Sequence, residues 1–377
     1  MSTVYLKGLN TLRFFAAFFV ILSHGALSLD KISDVRLSML TAFNRGGDAV
    51  EFFYVLSGFL ITYLLLREIE RTGTISIRQF YLRRVFRIWP LYFLVVVFGF
   101  LFFGTIYPRL TGERFFDFPL YKGLFLFACF LPNLATSMYS TGFLFPLRTI
   151  GVEEQFYLFW APLVRVFRKN MAYPILTFIA LSYIGYFCLE RFRLDINETL
   201  RAFLETLKFY AMATGALWGL IFYKLSRRYR DSWLSSKWMQ WAIFTFIGWY
   251  YLVGIPMLDG IAGHFLLCWA YGLLIMNCCA PEKPVLNLEK KTFVYLGTVS
   301  YGLYCCHMIV DYILRFMIAR FHLERLDPRL MIPLYLMALV GGAIVLAGLS
   351  YKYYESFFLR IKDKVCSPTW RLSTIGS

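Results

Sequence analysis

Long apolar runs constrain this chain more than any other feature of its sequence. A bilayer core needs about 20 apolar residues per helix, with roughly 17 to 25 tolerated. The short, Pro-interrupted stretch 123–134 falls below that length, and we assign it to a re-entrant or interfacial helix. Ten other stretches qualify as spans, at approximately 9–29, 50–66, 88–106, 152–167, 172–189, 202–223, 238–258, 261–279, 294–318 and 331–351.

Composition supports a membrane protein and argues against other classes. Of the 377 residues, 59% are hydrophobic and only 16% are charged, against about 25% charged in a soluble domain. This balance excludes a disordered chain, a disulfide-built secreted domain and an ordinary cytosolic enzyme. We therefore expect an all-α, polytopic transmembrane helix bundle. It would be a single membrane domain over 1–364, followed by a short cytoplasmic tail, 365–377.

The net charge is strongly positive, at +16 from 39 Lys and Arg against 23 Asp and Glu. In a soluble chain this excess would indicate nucleic acid as a partner. In a membrane protein it is explained more simply by positive loops at one membrane face, beside anionic lipid. Alternate loops, beginning with the N-terminal segment, carry most of the Lys and Arg. The asymmetry predicts both termini in the cytoplasm, with membrane lipid and no nucleic acid as a partner.

Ionisable side chains inside a span are candidates for function, since a charge at mid-bilayer costs about 2.5–3.5 kcal/mol. The first span contains Arg13 and His24. Eleven residues advance a helix by about three turns, so the two side chains share one face, roughly 16 Å apart along the axis. Either residue alone has a structural explanation, a snorkelling Arg13 or a hydrogen-bonded His24. We interpret the aligned pair as functional.

The second span has Glu51 at its outer edge and the small-residue step Ser57–Gly58 inside it. Glu51 either orients His24 or lies in the headgroup layer. Small residues let a neighbouring helix approach closely, and packing is what the spacing of Ser57–Gly58 favours.

Three arginines, Arg83, Arg84 and Arg87, precede the third span. Their spacings of three and four residues make one helical face basic. Such a face at the cytoplasmic surface binds phosphate groups as a charged fork or, more ordinarily, the headgroups of anionic lipids.

Other polar residues have simple structural explanations. Glu153 and Glu154, near a helix N-terminus, are favoured there by the helix dipole. His307, Asp311 and Arg315 follow one another at four-residue intervals and suggest a self-neutralising ladder.

Glu205 and Lys208 suggest another intrahelical pair, and His264 and His322 lie singly near loops. The eight cysteines show no CxxC spacing, so apolar packing explains them better than metal or disulfide chemistry. We therefore expect no metal site.

Six motifs follow one another from residue 9 to about residue 355. LNTLRFFAAFFVILSHG resembles LDGLRxxAxxxVxxxH, and VEFFYVLSGFLI resembles V(D/E)xFFVLSGFLI. FYLRRVFRIWPLYF resembles RRxxRIxPxYx, and GVEEQFYLFWAP resembles WSLSVEEQFYLxxP. VSYGLYCCHMIV resembles SYxxYLxH, and SYKYYE resembles SYxxxE. These patterns belong to the acyltransferase-3 family of integral membrane acyltransferases, and the resemblance covers nearly the whole chain. It departs from them at Arg148–Gly151, where the family has WSLS, and at Ser356, where it commonly has Pro.

The resemblance implies transfer of an acyl group, usually acetyl, from cytoplasmic acyl-CoA to a sugar hydroxyl. The acceptor would be an envelope polysaccharide, a lipopolysaccharide or a lipid-linked glycan, at the bacterial inner membrane. Acyl-CoA would be a co-substrate, and no permanently bound cofactor is implied. Some family members carry a C-terminal SGNH hydrolase-like domain. We expect this chain to act without one, with polysaccharide-synthesis proteins as partners.

The resemblance also suggests catalytic residues. His24 would be the general base, because histidine exchanges protons near neutral pH, with Glu51 or Arg13 holding the site. An acyl-histidine intermediate is the alternative.

Binding and supporting roles complete the set. Arg83, Arg84 and Arg87, with Ser57 and Gly58, would bind acyl-CoA. The supporting residues would be Glu153, Glu154, His307 and Glu355.

Other classes explain less of the sequence. A transporter or glycan flippase would also have ten spans, buried charges and a basic inner face, but it predicts an inverted internal repeat that the sequence lacks. A purely structural membrane partner leaves the buried histidines unexplained. The membrane-bound O-acyltransferases also need an intramembrane histidine, but this chain matches their motifs poorly.

Overall fold

The fold is known from a computed structural model that describes residues 5–33, 35–112, 115–191, 196–280 and 284–366. Within these ranges the chain forms helices and no β-strand, which confirms the all-α class. The predicted tail lies outside the described residues from 367 onward. The helices are α1 (Leu9–Leu29), α2 (Gly46–Thr72), α3 (Ile77–Leu101), α4 (Tyr107–Thr111), α5 (Leu120–Ala128), α6 (Pro132–Met138), α7 (Leu147–Val166), α8 (Ala172–Arg191), α9 (Glu198–Thr206), α10 (Phe209–Arg230), α11 (Lys237–Leu252), α12 (Ile261–Cys279), α13 (Lys291–Thr298), α14 (Ser300–Phe321), α15 (Pro328–Ser350) and α16 (Ser356–Val365).

The bundle is that of a polytopic membrane protein. Three of the ten predicted spans, 152–167, 202–223 and 238–258, fall on helices that are shorter or less apolar than the rest. The ten crossings and the cytoplasmic termini stay predictions. Seven helical segments are long and apolar enough to cross a bilayer, namely Leu9–Leu29, Gly46–Thr72, Ile77–Arg109, Ala172–Leu189, Ile261–Cys279, Ser300–Phe321 and Pro328–Val365.

Three predicted stretches are interrupted where the sequence pattern suggested continuous helix. The span 202–223 breaks between α9 and α10, which places Lys208 immediately before α10. The span 294–318 breaks at Val299, between α13 and α14. The apolar stretch 123–134 is divided between α5 and α6, of 9 and 7 residues. At about 1.5 Å per residue, neither of those two helices is long enough to cross a bilayer.

Helices α1 and α14 lie side by side and run in the same direction. Two polar contacts join them, His24 with His307 and Ser28 with Asp311, each across a sequence separation of 283 residues. Because this separation is constant, both helices advance together from the same end of the bundle. The parallel arrangement aligns the histidine of the first motif with the histidine of the fifth.

Helices α2 and α10 approach each other closely through glycines. A Cβ atom at Gly58 would lie 1.9 Å from the carbonyl oxygen of Met212, and one at Gly215 would lie 1.9 Å from the carbonyl oxygen of Val55. Small residues permit this backbone-to-backbone packing in membranes. The structure therefore favours a packing role for Gly58 over the predicted contact with acyl-CoA.

Replacing Gly58 by alanine should destabilise the protein by about 1–3 kcal/mol, because the added methyl group meets backbone atoms that cannot move aside. Gly47 lies in the same helix, and a Cβ atom added there would have no neighbour within 4 Å, so Gly47→Ala is the matched control. Thermal unfolding in detergent micelles measures the difference. Equal Tm values for the two variants would contradict the close packing of α2 against α10.

Candidate active site

Arginine side chains from two helices meet in a cavity inside the bundle. Arg13 comes from α1, and Arg84 and Arg87 come from α3. The cavity is partly open to the surroundings of the bundle. We call it the arginine cavity, and its lining residues are Arg13, Phe53, Ser57, Leu60, Ile61, Arg84, Arg87, Ile88, Thr149, Ile150, Glu153, Tyr157, Ser300, Tyr301 and Tyr304.

The guanidinium groups of the arginine cavity have few partners in the protein. Arg13 Nη1 donates to Asn10 Oδ1 at 3.4 Å, and Arg84 lies 5.4 Å from the centre of the Tyr157 ring. The Nε atom of Arg84 is buried without a hydrogen-bond partner among the described residues. In that same part of the chain, Arg84 and Arg87 form no ion pair with a carboxylate. Because an uncompensated cation is costly inside a membrane protein, the cavity is suited to an anionic ligand.

One carboxyl group, that of Glu153, lines the same cavity. It accepts hydrogen bonds from Ser57 Oγ at 2.9 Å and from the hydroxyl of Tyr157 at 3.0 Å. Three guanidinium groups against one carboxyl group leave the cavity positive. Ser57 and Glu153, unlike Gly58, lie where a bound anion would meet them.

Arg83 does not join Arg84 and Arg87 in the cavity. Its Nη2 atom lies 3.0 Å from Oε2 of Glu68, a carboxylate whose residue is only 2% exposed. Successive side chains of a helix point about 100° apart, so Arg83 and Arg84 face different neighbours. Arg83 therefore compensates a buried acid and, unlike Arg84 and Arg87, does not line the arginine cavity.

His24 forms a hydrogen-bonded pair with His307. Nδ1 of His24 lies 2.8 Å from Nε2 of His307, and Nδ1 of His307 lies 2.8 Å from the carbonyl oxygen of Tyr304. A carbonyl oxygen can only accept, so His307 carries its proton on Nδ1 and its Nε2 accepts the Nδ1 proton of His24. The Nε2 atom of His24 is thereby left unprotonated. We call His24 and His307 the histidine pair.

The predicted ladder on α14 is therefore only partly correct. Asp311 pairs with Arg315 at 3.4 Å, and it also accepts hydrogen bonds from Ser28 and Tyr335. His307 instead forms a hydrogen bond with His24, because α1 runs parallel to α14 and His24 lies at the same level of the bundle.

Tyr304 connects the histidine pair to the arginine cavity. Its ring lines the cavity and lies 6.0 Å from the ring of His307, centre to centre. Its hydroxyl donates to Thr149 Oγ1 at 2.8 Å. Arg13, which we expected to hold the site beside His24, lines the cavity about 16 Å away along α1. A ligand anchored by the arginines therefore needs a slender extension to reach His24.

Glu51 lies in a second charged group and not beside His24. It pairs with the ammonium group of Lys208, and its Oε2 atom lies 3.2 Å from Nδ1 of His264. Its residue is 0% exposed. The structure therefore corrects the prediction that Glu51 orients His24. We call Arg45, Asp48, Glu51, Lys208 and His264 the carboxylate cluster.

Asp48 is the second acid of the carboxylate cluster. Its Oδ2 atom lies 3.3 Å from Arg45 Nη1 and 3.0 Å from the hydroxyl of Tyr250. Ligand atoms of Asp48, Glu51 and His264 lie within 4.8 Å of one another, a spacing that suits a metal ion. Arg45 is shared between Asp48 and Asp259, and the ammonium group of Lys208 pairs with Glu51, so cations of the chain itself lie beside these acids.

Sequence reasoning missed the carboxylate cluster because its members come from three distant segments. Local spacing pairs Lys208 with Glu205 and gives His264 no partner. The available signal was the pair Asp48 and Glu51, two acids three residues apart in an apolar helix. Two buried carboxylates require nearby cations, although nothing local says which ones.

The last two predicted supporting residues lie outside the arginine cavity. Glu154 accepts a hydrogen bond from Trp89 Nε1 at 3.1 Å. Glu355 lies at the end of a π-helical turn after α15 and accepts from Ser350 Oγ at 3.1 Å. The Glu154 contact joins α7 to α3, whereas the Glu355 contact stays within one helical segment, and neither residue lines the cavity.

The structure is that of a polytopic membrane protein with a positively charged cavity and a histidine pair inside its helix bundle. The chain belongs to the acyltransferase-3 family, whose model, described as "Acyltransferase domain", matches residues 6–348. The matched part includes the arginine cavity and the histidine pair.

The chain is similar in sequence to named bacterial proteins. A Listeria monocytogenes protein, "Peptidoglycan O-acetyltransferase OatA", is 29% identical over 158 residues, which cover 40% of this chain and 25% of that protein. A Staphylococcus aureus strain MRSA252 protein, provisionally named an O-acetyltransferase (SAR0937), is 25% identical over 401 residues, covering 98% of this chain and 60% of that protein. The chain thus spans 60% or less of the length of these two relatives. No solved structure matches the chain significantly.

Proposed function

We propose that the protein is a membrane O-acyltransferase that moves an acyl group, in the simplest case acetyl, from acyl-CoA to a sugar hydroxyl of a cell-envelope glycan. The observation that carries the proposal is the arginine cavity joined to the histidine pair through Tyr304. Family membership supports the reaction class. The name of the Listeria relative supports acetyl as the group and a glycan as the acceptor.

The arginine cavity is suited to the donor. Acyl-CoA carries phosphate groups at one end and a thioester at the tip of a long, slender arm. Arg84 and Arg87, with Arg13, would bind the phosphates through charge-assisted hydrogen bonds. The arm would then pass Tyr304 and Thr149 and bring the thioester to His24, about 16 Å from Arg13 along α1.

The histidine pair is suited to the proton transfer. A sugar hydroxyl is a weak nucleophile until its proton is removed as it attacks. Nε2 of His24 accepts that proton while the sugar oxygen forms a bond to the thioester carbonyl carbon. The carbon–sulfur bond then breaks, and the CoA sulfur leaves and takes the proton from His24. In the alternative route, Nε2 attacks the thioester carbonyl carbon, the carbon–sulfur bond breaks and the CoA thiolate leaves. The sugar hydroxyl then attacks the acyl carbon, the carbon–nitrogen bond to His24 breaks, and the hydroxyl proton passes to the thiolate.

His307 would be a positioning residue in either route. Its hydrogen bond holds the proton of His24 on Nδ1 and so keeps Nε2 free for the reaction. The excess of Lys and Arg on alternate loops supports a donor that enters from the cytoplasm. The acceptor would approach from the opposite face of a bacterial inner membrane, delivered by polysaccharide-synthesis partners.

Replacing His24 by alanine should lower acetyl transfer by about 10²–10⁴-fold, because general-base catalysis is lost. His322→Ala is the matched control, since that side chain is 65% exposed and pairs with Glu324 at the surface. The assay follows radiolabel from acetyl-CoA into glycan in inverted membrane vesicles. Full activity in a well-expressed His24→Ala protein would contradict the role of His24 as the general base. No transfer by the wild-type protein would favour a transporter.

Alanine at Arg84 or at Arg87 should weaken acetyl-CoA binding roughly tenfold or more, since a hydrogen bond to a charged group contributes about 1.5–3 kcal/mol. Arg78 is exposed on the same helix, so Arg78→Ala should bind acetyl-CoA like the wild type. Isothermal titration of the detergent-solubilised proteins measures the affinities. If both cavity variants keep wild-type affinity, the arginines bind lipid headgroups instead.

A further inference from the structure

We propose that Arg148 binds a carboxylate group of the acceptor sugar beside His24, so that the protein acylates an acidic glycan. The inference rests on the proposed role of His24 in acyl transfer and adds the chemical class of the acceptor. Arg148 is absent from the lining of the arginine cavity. It therefore belongs to a different part of the site from the residues proposed to hold the donor phosphates.

Arg148 is fixed next to the histidine pair by an aromatic ring. It is the second residue of α7, and its guanidinium carbon lies 3.9 Å from the centre of the Phe145 ring. The ring of Phe145 in turn meets the ring of His24 edge-on, with 6.5 Å between centres. Phe145 is 37% exposed, so this aromatic ring reaches the surface of the bundle. The guanidinium group, the aromatic ring and the imidazole therefore lie side by side, with the aromatic ring at the surface.

The charge of Arg148 is not compensated by the protein. Over the ranges that the structure describes, Arg148 forms no ion pair and no side-chain hydrogen bond. Other half-buried arginines of the bundle do have acids, as Arg83 pairs with Glu68 and Arg315 with Asp311. Comparable exceptions are Arg13 and Arg84 of the arginine cavity, for which a ligand anion is proposed. By the same argument, Arg148 is placed to receive an anion from outside the chain.

The geometry favours a carboxylate as that anion. A guanidinium group packed on an aromatic face keeps its in-plane N–H donors free. Two parallel N–H groups match the two oxygens of a planar carboxylate. The donor phosphates have their own arginines, so this carboxylate belongs to the acceptor. A uronic acid or another carboxylate-bearing sugar held here would present a neighbouring hydroxyl to Nε2 of His24.

Hydrogen bonds link the chain segment that carries Arg148 to the histidine pair. The next residue, Thr149, accepts the hydroxyl proton of Tyr304, and the carbonyl of Tyr304 sets the tautomer of His307. In the family pattern quoted above, tryptophan stands where this chain has Arg148. The preference for an acidic acceptor would therefore be a property of this chain.

Two simple sugars test the inference, phenyl β-D-glucuronide and phenyl β-D-glucoside, which differ only in a carboxylate against a hydroxymethyl group. Binding of each sugar to the full-length protein in nanodiscs is measured by isothermal titration. The wild type should bind the glucuronide at least tenfold more tightly. Arg148→Gln should abolish that difference, and Arg148→Lys should keep part of it. Arg36→Gln changes an exposed arginine in the loop after α1 and is the matched control.

The outcomes separate the inference from the proposed function. Equal binding of the two sugars by the wild type, or a preference that survives in Arg148→Gln, would overturn the inference. Acetyl transfer to both sugars is measured alongside with acetyl-CoA. If Arg148→Gln slows both acceptors equally, Arg148 stabilises the reacting oxyanion and the inference is wrong. Charge-dependent binding without any acetyl transfer would leave the carboxylate site in place and contradict the proposed function.

Discussion

A charge in the interior of a membrane protein must be compensated, and this requirement organises the bundle. Glu51 is buried but paired with Lys208 and His264, and Glu68 is buried but paired with Arg83. Breaking such a pair by removing one partner costs about 3–5 kcal/mol. These contacts join α2 to α3, α10 and α12, so they hold helices together as well as neutralising charge. Most buried acids in the described residues are therefore structural.

Uncompensated cations stand out against this background. Arg84 and Arg87 face a cavity that contains a single carboxyl group, and Arg148 lies on an aromatic ring beside His24. A membrane protein that pairs its other charges so consistently would not be stabilised by leaving these alone. Their arrangement is explained if two anions bind, one in the arginine cavity and one beside His24. The donor and the acceptor of an acyl transfer would meet in this way at Nε2 of His24.

The proposed role of His24 as a base depends on contacts that lie beyond its own helix. The carbonyl of Tyr304 fixes the proton of His307 on Nδ1, and His307 in turn fixes the proton of His24 on Nδ1. This chain of hydrogen bonds requires α1 and α14 to run in parallel at one level. The helix pairing therefore determines which ring nitrogen of His24 is left without a proton.

Helical periodicity in the sequence predicts which side chains share one face of a helix. It does not predict which helices are neighbours in the bundle. The shared face of Arg13 and His24 follows from helix geometry. That His24 meets His307 depends on which helices are neighbours, and the two residues are 283 positions apart. The basic face before the third span was predicted as one surface, yet the buried acid on α2 draws Arg83 away from it. The interrupted span before α10 shows the same limit, because the break between α9 and α10 presents Lys208 to Glu51 instead of to Glu205.

A cryo-EM structure of the protein with a thioether analogue of acetyl-CoA, which cannot transfer its acyl group, tests the central claim most directly. We expect the phosphate groups of the analogue to contact Arg84 and Arg87. We also expect the acetyl group to lie past Tyr304, in contact with His24 at about 4 Å or less from Nε2. A nucleotide bound outside the arginine cavity, or an acetyl group that points away from the histidine pair, would contradict the claim.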